Sequence, residues 1–125
     1  MKNSIVLSLS FVVIIGCTGL KMDYADPIVQ ILAEDLADKG SPYIGKKISV
    51  RGIVKSVDTT NPKSVWVTLE GNIRCNFGDF LAMAQSCKIG EVITVDGFLE
   101  DLSENQTVIE PALGRDPLAP FRPLK

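Results

Sequence analysis

From Lys46 onward, apolar and polar residues alternate with a period of two, the signature of half-buried strands. In KKISVRGIVKSVD, Ile48, Val50 and Val54 share one face while Lys47, Ser49, Arg51 and Lys55 share the other. Ser64 to Glu70 (SVWVTLE) repeats the pattern, with Val65, Val67 and Leu69 opposite Trp66 and Thr68. Gly71-Asn72 predicts a tight hairpin turn into a third strand, whose Ile73, Cys75 and Phe77 face inward and whose Arg74 and Asn76 face outward. EVITVDGFLEDL and TVIEPAL predict a fourth and a fifth strand. Gly52 and Gly97 fall where long strands must bend.

Two stretches carry the helical period instead. Asp26-Pro27 reads as an N-cap and first helical residue. Ile28, Ile31, Leu32 and Leu36 follow at helical spacing and Gly40 acts as a stop, so an amphipathic helix of about 13 residues is expected here. FLAMAQSCK, after Gly78-Asp79, predicts a short second helix with Asp79 as its N-cap. Three strands, a helix and two more strands is the order of the OB-fold, a five-stranded Greek-key barrel with a helix between its third and fourth strands. The expected fold class is therefore mainly β, an OB-fold barrel over residues 26–113 that includes an N-terminal helix. The final segment, 114–125, carries Pro117, Pro120 and Pro123 and reads as extended. It would either seal an open strand edge or dock a partner.

The start of the chain follows another logic. Lys2 precedes an apolar run, Ile5 to Ile15, that would span roughly 17 Å as a helix, short of the ~30 Å hydrocarbon core. A charged start, a short apolar core and a small residue are the parts of a secretory signal. Ile14-Ile15-Gly16-Cys17 resembles the lipobox of bacterial lipoproteins. That resemblance implies a signal peptide over 1–16, lipidation of Cys17 as the first mature residue, and a tether over 17–25. It implies an exported protein held at a membrane through its N-terminal lipid, with several acyl chains making the anchoring effectively permanent. Thr18, in place of Asp, favours the outer membrane facing the periplasm where two membranes exist.

The barrel region carries a second resemblance. YIGKKISVRGIVKSV, VTL, IRCNF and CKIGEVITVDGFL resemble the tRNA-anticodon-like OB domains of bacterial exported proteins over about Asp26 to Glu110. These motifs are fold-making glycines and core positions. They imply architecture and no particular activity.

Composition narrows the functional classes. Discounting Lys2 from the 13 basic residues, against 15 acidic ones, leaves a mature net charge near −3. That balance argues against a nucleic-acid partner, whose phosphates call for a clustered positive field. Histidine is absent, which removes the commonest general base and the usual Ser-His and Cys-His dyads. No paired-carboxylate, phosphate-loop or dinucleotide signature occurs, so no enzymatic activity, cofactor or metal is expected. Glu100, Asp101 and Glu104 read as a solvated loop, and Asp96, beside Thr94, as a surface carboxylate.

The outward positions of the first three strands supply one candidate binding face: Arg51, Lys55, Trp66, Arg74 and Asn76. An aromatic residue with flanking cations on this face is how OB domains hold single strands. The reading that competes with it, and that the residue types favour, has Trp66 packing under the N-terminal helix or the proline-rich tail. Cys75 and Cys87 would form either a disulfide, contributing roughly 3 kcal/mol for a loop of this size, or two buried free thiols. The expected function is a lipid-anchored envelope module, binding or structural, whose partner is an envelope protein or a small ligand. The alternative is an exported OB protein that binds single-stranded nucleic acid, a small ligand or a cation.

Overall fold

A computed structural model of the protein describes residues 26–125. Six strands and two helices follow in the order β1 (Val29–Leu32), α1 (Ala33–Lys39), β2 (Lys47–Asp58), β3 (Val65–Leu69), β4 (Ile73–Gly78), α2 (Leu81–Gln85), β5 (Val92–Leu102) and β6 (Thr107–Gly114). The sheet order is β1-β2-β3-β4-β6-β5, and β2 also pairs with β5. That pairing closes β2 to β6 into a five-stranded barrel, the OB-fold. β4 and β6 run parallel and the other barrel pairs antiparallel.

Period-two alternation delivers the core as expected. Ile48, Val50 and Val54 from β2, Val65, Val67 and Leu69 from β3, and Ile73, Cys75 and Phe77 from β4 are all buried, with Val95, Leu99, Ile109 and Ala112 from the last two strands. Gly71 and Asn72 both take positive φ in the β3–β4 connection, as a tight hairpin requires. Gly97 is needed for closeness: a Cβ there would lie 2.5 Å from Ile109 Cγ2 and 2.6 Å from the Pro111 carbonyl oxygen. At Gly52, a Cβ would lie 2.7 Å from the Cβ of Ala33, so this glycine lets α1 seat against the barrel.

The N-terminal helix is shorter than its periodicity predicts. Val29–Leu32 is instead a strand, parallel to β2 with Val29 opposite Ile48 and Leu32 opposite Arg51. The reason lies in β2. One of its edges pairs with β5 along residues 47–53, whereas β3 reaches the other edge only from Val54 onward. The first half of β2 thus has an open edge, and β1 fills it. Val29 and Ile31 are β-branched, which favours strand over helix, and Ile31 becomes fully buried. The helix begins at Ala33, and Leu36 is its buried residue. In α2 the N-cap position is Phe80, with no side-chain cap. Asp79 contributes its backbone oxygen to Leu81 N–H rather than its carboxylate.

The tail closes what β1 leaves open. Leu124 N–H donates to the Gln30 carbonyl at 2.9 Å, Arg122 N–H donates to Gln30 Oε1, and Gln30 Nε2 donates to the Pro120 carbonyl at 3.3 Å. Leu124 also packs on the core. The edge-sealing reading of residues 114–125 accounts for these bonds, because an edge strand carries unpaired backbone groups that need partners.

Candidate functional site

The five residues expected to share one face do not stay together. Trp66 and Arg74 are together. They sit on neighbouring antiparallel strands, where Trp66 pairs with Asn76 and Thr68 with Arg74. The Arg74 guanidinium lies over the indole, 4.2 Å from the ring centre, and both residues are part-exposed. Across the other edge of β3, Asp58 is the partner of Trp66. Its carboxylate accepts from the Thr60 hydroxyl and, at 3.0 Å, from Thr60 N–H. The Thr60 hydroxyl does most to hold the Asp58 pKa below its ordinary value, and the charge of Arg74 adds to the effect. The face is therefore an aromatic ring capped by one cation and bordered by a carboxylate, neutral in balance.

Asn76 is buried and occupied. Its Nδ2 donates to Glu110 Oε2 at 2.9 Å and to Ser64 Oγ at 3.2 Å, and its Oδ1 accepts from Gly78 N–H at 2.7 Å. The amide ties the start of β3, the end of β4 and β6 together. Its amide hydrogens are thus engaged within the fold. Alternation placed Asn76 outward correctly; the bonding of its neighbours is what covers it.

Arg51 lies elsewhere. It pairs with Thr94 on β5, to whose Oγ1 its Nε donates at 2.9 Å, and its guanidinium stacks 4.2 Å from the Phe121 ring of the tail. The tail thus covers the part of β2 that carries Arg51. Lys55 is exposed at the irregularity between Val54 and Ser56, where the β2–β3 register shifts.

Asp96 departs from the expected surface carboxylate. Its Oδ2 pairs with Arg115 Nη1 at 2.8 Å, with both side chains only 18% exposed. Ser49, the strand partner of Asp96, is fully buried beside it. Arg115 stands at the start of the extended segment, so its pairing with a residue 19 positions earlier carried no local signal in the sequence.

Cys75 and Cys87 are both free thiols, so the disulfide alternative is not realised. Cys75 points into the barrel, paired across strands with Val67 and Ile109. The Cys87 thiol donates to the Met83 carbonyl at 3.5 Å. Burial, with a smaller contribution from Cys87, pushes the Cys75 pKa up to about 12. Burial first, then the nearby Glu91, raises that of Cys87. Neither sulfur is poised as a thiolate nucleophile.

A groove of about 650 Å³ runs between β5, α2 and the start of the tail, lined among others by Arg51, Met83, Cys87, Val92, Thr94 and Arg115. It is separate from the Trp66 face. Among the described residues no cluster of metal-ligating side chains occurs, and no helix is long and apolar enough to cross a membrane. Cys17 and the signal and tether segments lie outside the described residues.

No protein-family model matches the sequence, and no curated protein matches it. Solved structures do show similarity, all at low sequence identity. A provisionally assigned aspartyl-tRNA synthetase from Leishmania major Friedlin superposes with a TM-score of 0.51 at 7% identity, covering 86% of this chain and 26% of that one. An asparaginyl-tRNA synthetase from Entamoeba histolytica gives 0.48 at 13%, over 71% of this chain and 24% of that one. A provisionally assigned nucleic acid-binding lipoprotein from Klebsiella pneumoniae subsp. pneumoniae MGH 78578 gives 0.46 at 20%, over 66% and 81%. The likeness to the aspartyl-tRNA synthetase, at 7% identity, is one of fold alone, and this chain spans about a quarter of either synthetase.

Proposed function

We propose that this protein is a lipid-anchored envelope module that binds a partner through the Trp66–Arg74 face and performs no catalytic step. The tether is Cys17, within the lipobox-like Ile14-Ile15-Gly16-Cys17. The observation that carries the binding role is the stack itself: the largest aromatic side chain of the chain remains part-exposed on the outer sheet, held flat by a guanidinium at 4.2 Å. A rigid aromatic next to Arg is the composition of interface anchors, and an ordered side chain loses little entropy when a partner covers it.

The neutral balance of the face favours an envelope protein or a small uncharged ligand over nucleic acid. One cation, Arg74, is offset by Asp58, and the nearby Glu110 is engaged by Asn76. Phosphate recognition would need a local excess of positive charge and would weaken steeply with salt.

Two measurements on the full chain test the two halves. Cys17→Ser should move the protein from the membrane fraction to unprocessed precursor; membrane-bound mature protein from this variant would refute the anchor. A photo-crosslinking amino acid at Thr68, between Trp66 and Arg74 on the same face, should give a discrete adduct in cells. The same probe at Glu100 should give none. Equal labelling at the two positions, or none at Thr68, would refute the binding face.

A further inference from the structure

The first described residues leave the barrel beside an apolar and basic surface. Ile28 N–H donates to the Lys47 carbonyl at 3.0 Å, so the segment arriving from the tether meets the barrel at the beginning of β2. Ile28 is 58% exposed there. The turn before β2 ends at the same place: Gly45 N–H donates to the Leu99 carbonyl at 2.7 Å, and Leu99 N–H to the Lys46 carbonyl at 3.0 Å. That turn presents Ile44, 47% exposed, and Lys46, also exposed. Single exposed isoleucines are ordinary on a protein surface, but two beside the point where the tether enters offer an apolar contact to whatever that tether holds close.

We propose that this end of the barrel, with Ile28, Ile44 and Lys46, rests on the lipid surface to which Cys17 is anchored, and that this contact stands the Trp66–Arg74 face away from the bilayer. The inference depends on the anchoring reading above. What points to lipid is the place where the chain leaves the described residues: Asp26 is two positions before Ile28, and Cys17 nine before Asp26. Nine residues reach at most about 30 Å, so the anchor keeps this end of the barrel within that distance of the leaflet that holds the acyl chains.

Because the anchor already confines the barrel, a small contact is enough. Tethering turns docking into an intramolecular event at high effective concentration. Two aliphatic side chains enter the interface while Lys46 reaches phosphate oxygens, as amphipathic lysines do at membrane surfaces. Asp26 and Glu100 lie near the same end and limit the attraction to anionic lipid. The apolar contact is therefore the main one.

The geometry of β2 sets the consequence. Lys47 starts the strand and Asp58 ends it, and Asp58 is the strand partner of Trp66. At roughly 3.3 Å per residue the Trp66 stack lies about 36 Å from Ile28 as measured along the strand. A second exposed apolar group lies farther along the barrel, where Ile53 of β2 pairs with Val92 of β5 and Ile89 precedes that strand. It competes as the docking surface, and the test separates the two.

The chain has one tryptophan, which makes depth quenching direct. Full-length protein extracted from membranes is reconstituted into phosphatidylethanolamine–phosphatidylglycerol vesicles whose acyl chains carry bromine. Trp66→Phe is combined in turn with Ile28→Trp, Ile44→Trp and Ile89→Trp, all at exposed positions. The reporters at 28 and 44 should lose about half or more of their emission, since interfacial side chains sit about 5–10 Å into the headgroup boundary. The reporter at 89 and native Trp66 should keep theirs. Adding Lys46→Glu should reduce quenching at 44. Unquenched reporters at 28 and 44 in protein that floats with the vesicles would overturn the docking while leaving the anchor intact. Stronger quenching at 89 would assign the contact to the other surface and overturn it too. Protein that does not float would remove the anchor, and the docking with it.

Discussion

The Arg74 guanidinium lies 4.2 Å from the centre of the Trp66 ring, with Arg74 paired across the strands to Thr68 rather than to Trp66 itself. The contact is thus diagonal, between side chains two positions out of register on one face. Such diagonal pairs are within reach of long and aromatic side chains. A cation over an indole at a part-exposed site contributes about 0.5–1 kcal/mol. Arg74→Ala should therefore lower stability by that amount in urea and make Trp66 more accessible to iodide. Unchanged quenching would mean that Arg74 does not cover the ring in solution.

The Asp96–Arg115 pair links β5 to the start of the tail at 2.8 Å. Arg115→Ala leaves a mostly buried carboxylate without its partner, and charged hydrogen bonds of this kind contribute about 1.5–3 kcal/mol. A loss in that range is expected, with part of it recovered in the Asp96→Ala, Arg115→Ala double variant. Additive losses would show the two side chains to be independent.

The tail should behave as part of the fold. Phe121 stacks on Arg51, and Leu124 both packs on the core and bonds Gln30 on the edge strand. Ending the chain after Ala119 should lower the urea midpoint and expose the edge of β1, seen as faster amide exchange at Gln30 and Ile31 and as self-association. Unaltered exchange there would show that the tail is not what protects this edge.

Gly97 tolerates no side chain in this packing. A Cβ would lie 2.6 Å from the Pro111 carbonyl oxygen, which is backbone and cannot swing aside. Gly97→Ala should cost about 1–3 kcal/mol, in the range of overpacked cores. A neutral substitution would require β6 to sit farther from β5 than the structure has it.

Stability should fall in alkali because of Cys75. Its pKa rises from 9.0 to about 12 on folding, so the native state holds a proton that the unfolded chain releases in that interval. The contribution is complete below pH 9 and is lost as pH climbs toward 12, at about 1.4 kcal/mol per pH unit for a single group. Urea midpoints of the protein and of Cys75→Val, compared at pH 8 and pH 10, isolate this group from the lysines and tyrosines. Parallel declines would rule Cys75 out. Thiol labelling at neutral pH should reach Cys87, half-buried, well before Cys75.

Much of the fold was legible because strands announce themselves by a period of two. Val65, Val67 and Leu69 against Trp66 and Thr68 needed only alternation, and the β3–β4 turn needed only the positive-φ tolerance of Gly71 and Asn72. The spacing Ile28, Ile31, Leu32, Leu36 was ambiguous by nature. It fits a helix, yet Val29–Leu32 also fits the edge of β2 that stays open because β3 pairs only from Val54 onward, and that is decided by the barrel's register.

The candidate face divides along the same line. The sequence by itself determined which side chains point outward, because alternation is a local property of the extended backbone. It therefore put Trp66, Arg74, Asn76, Arg51 and Lys55 outside the barrel. Only the tertiary structure decided which outward side chains remain open. Asn76 is sealed by Ser64 and Glu110, Arg51 by Phe121, and Asp96 by Arg115. Each covering partner is brought from 12 to 70 positions away by the closure of the barrel and the return of the tail. Exposure is a property of what packs on a surface, and no period along the chain records it.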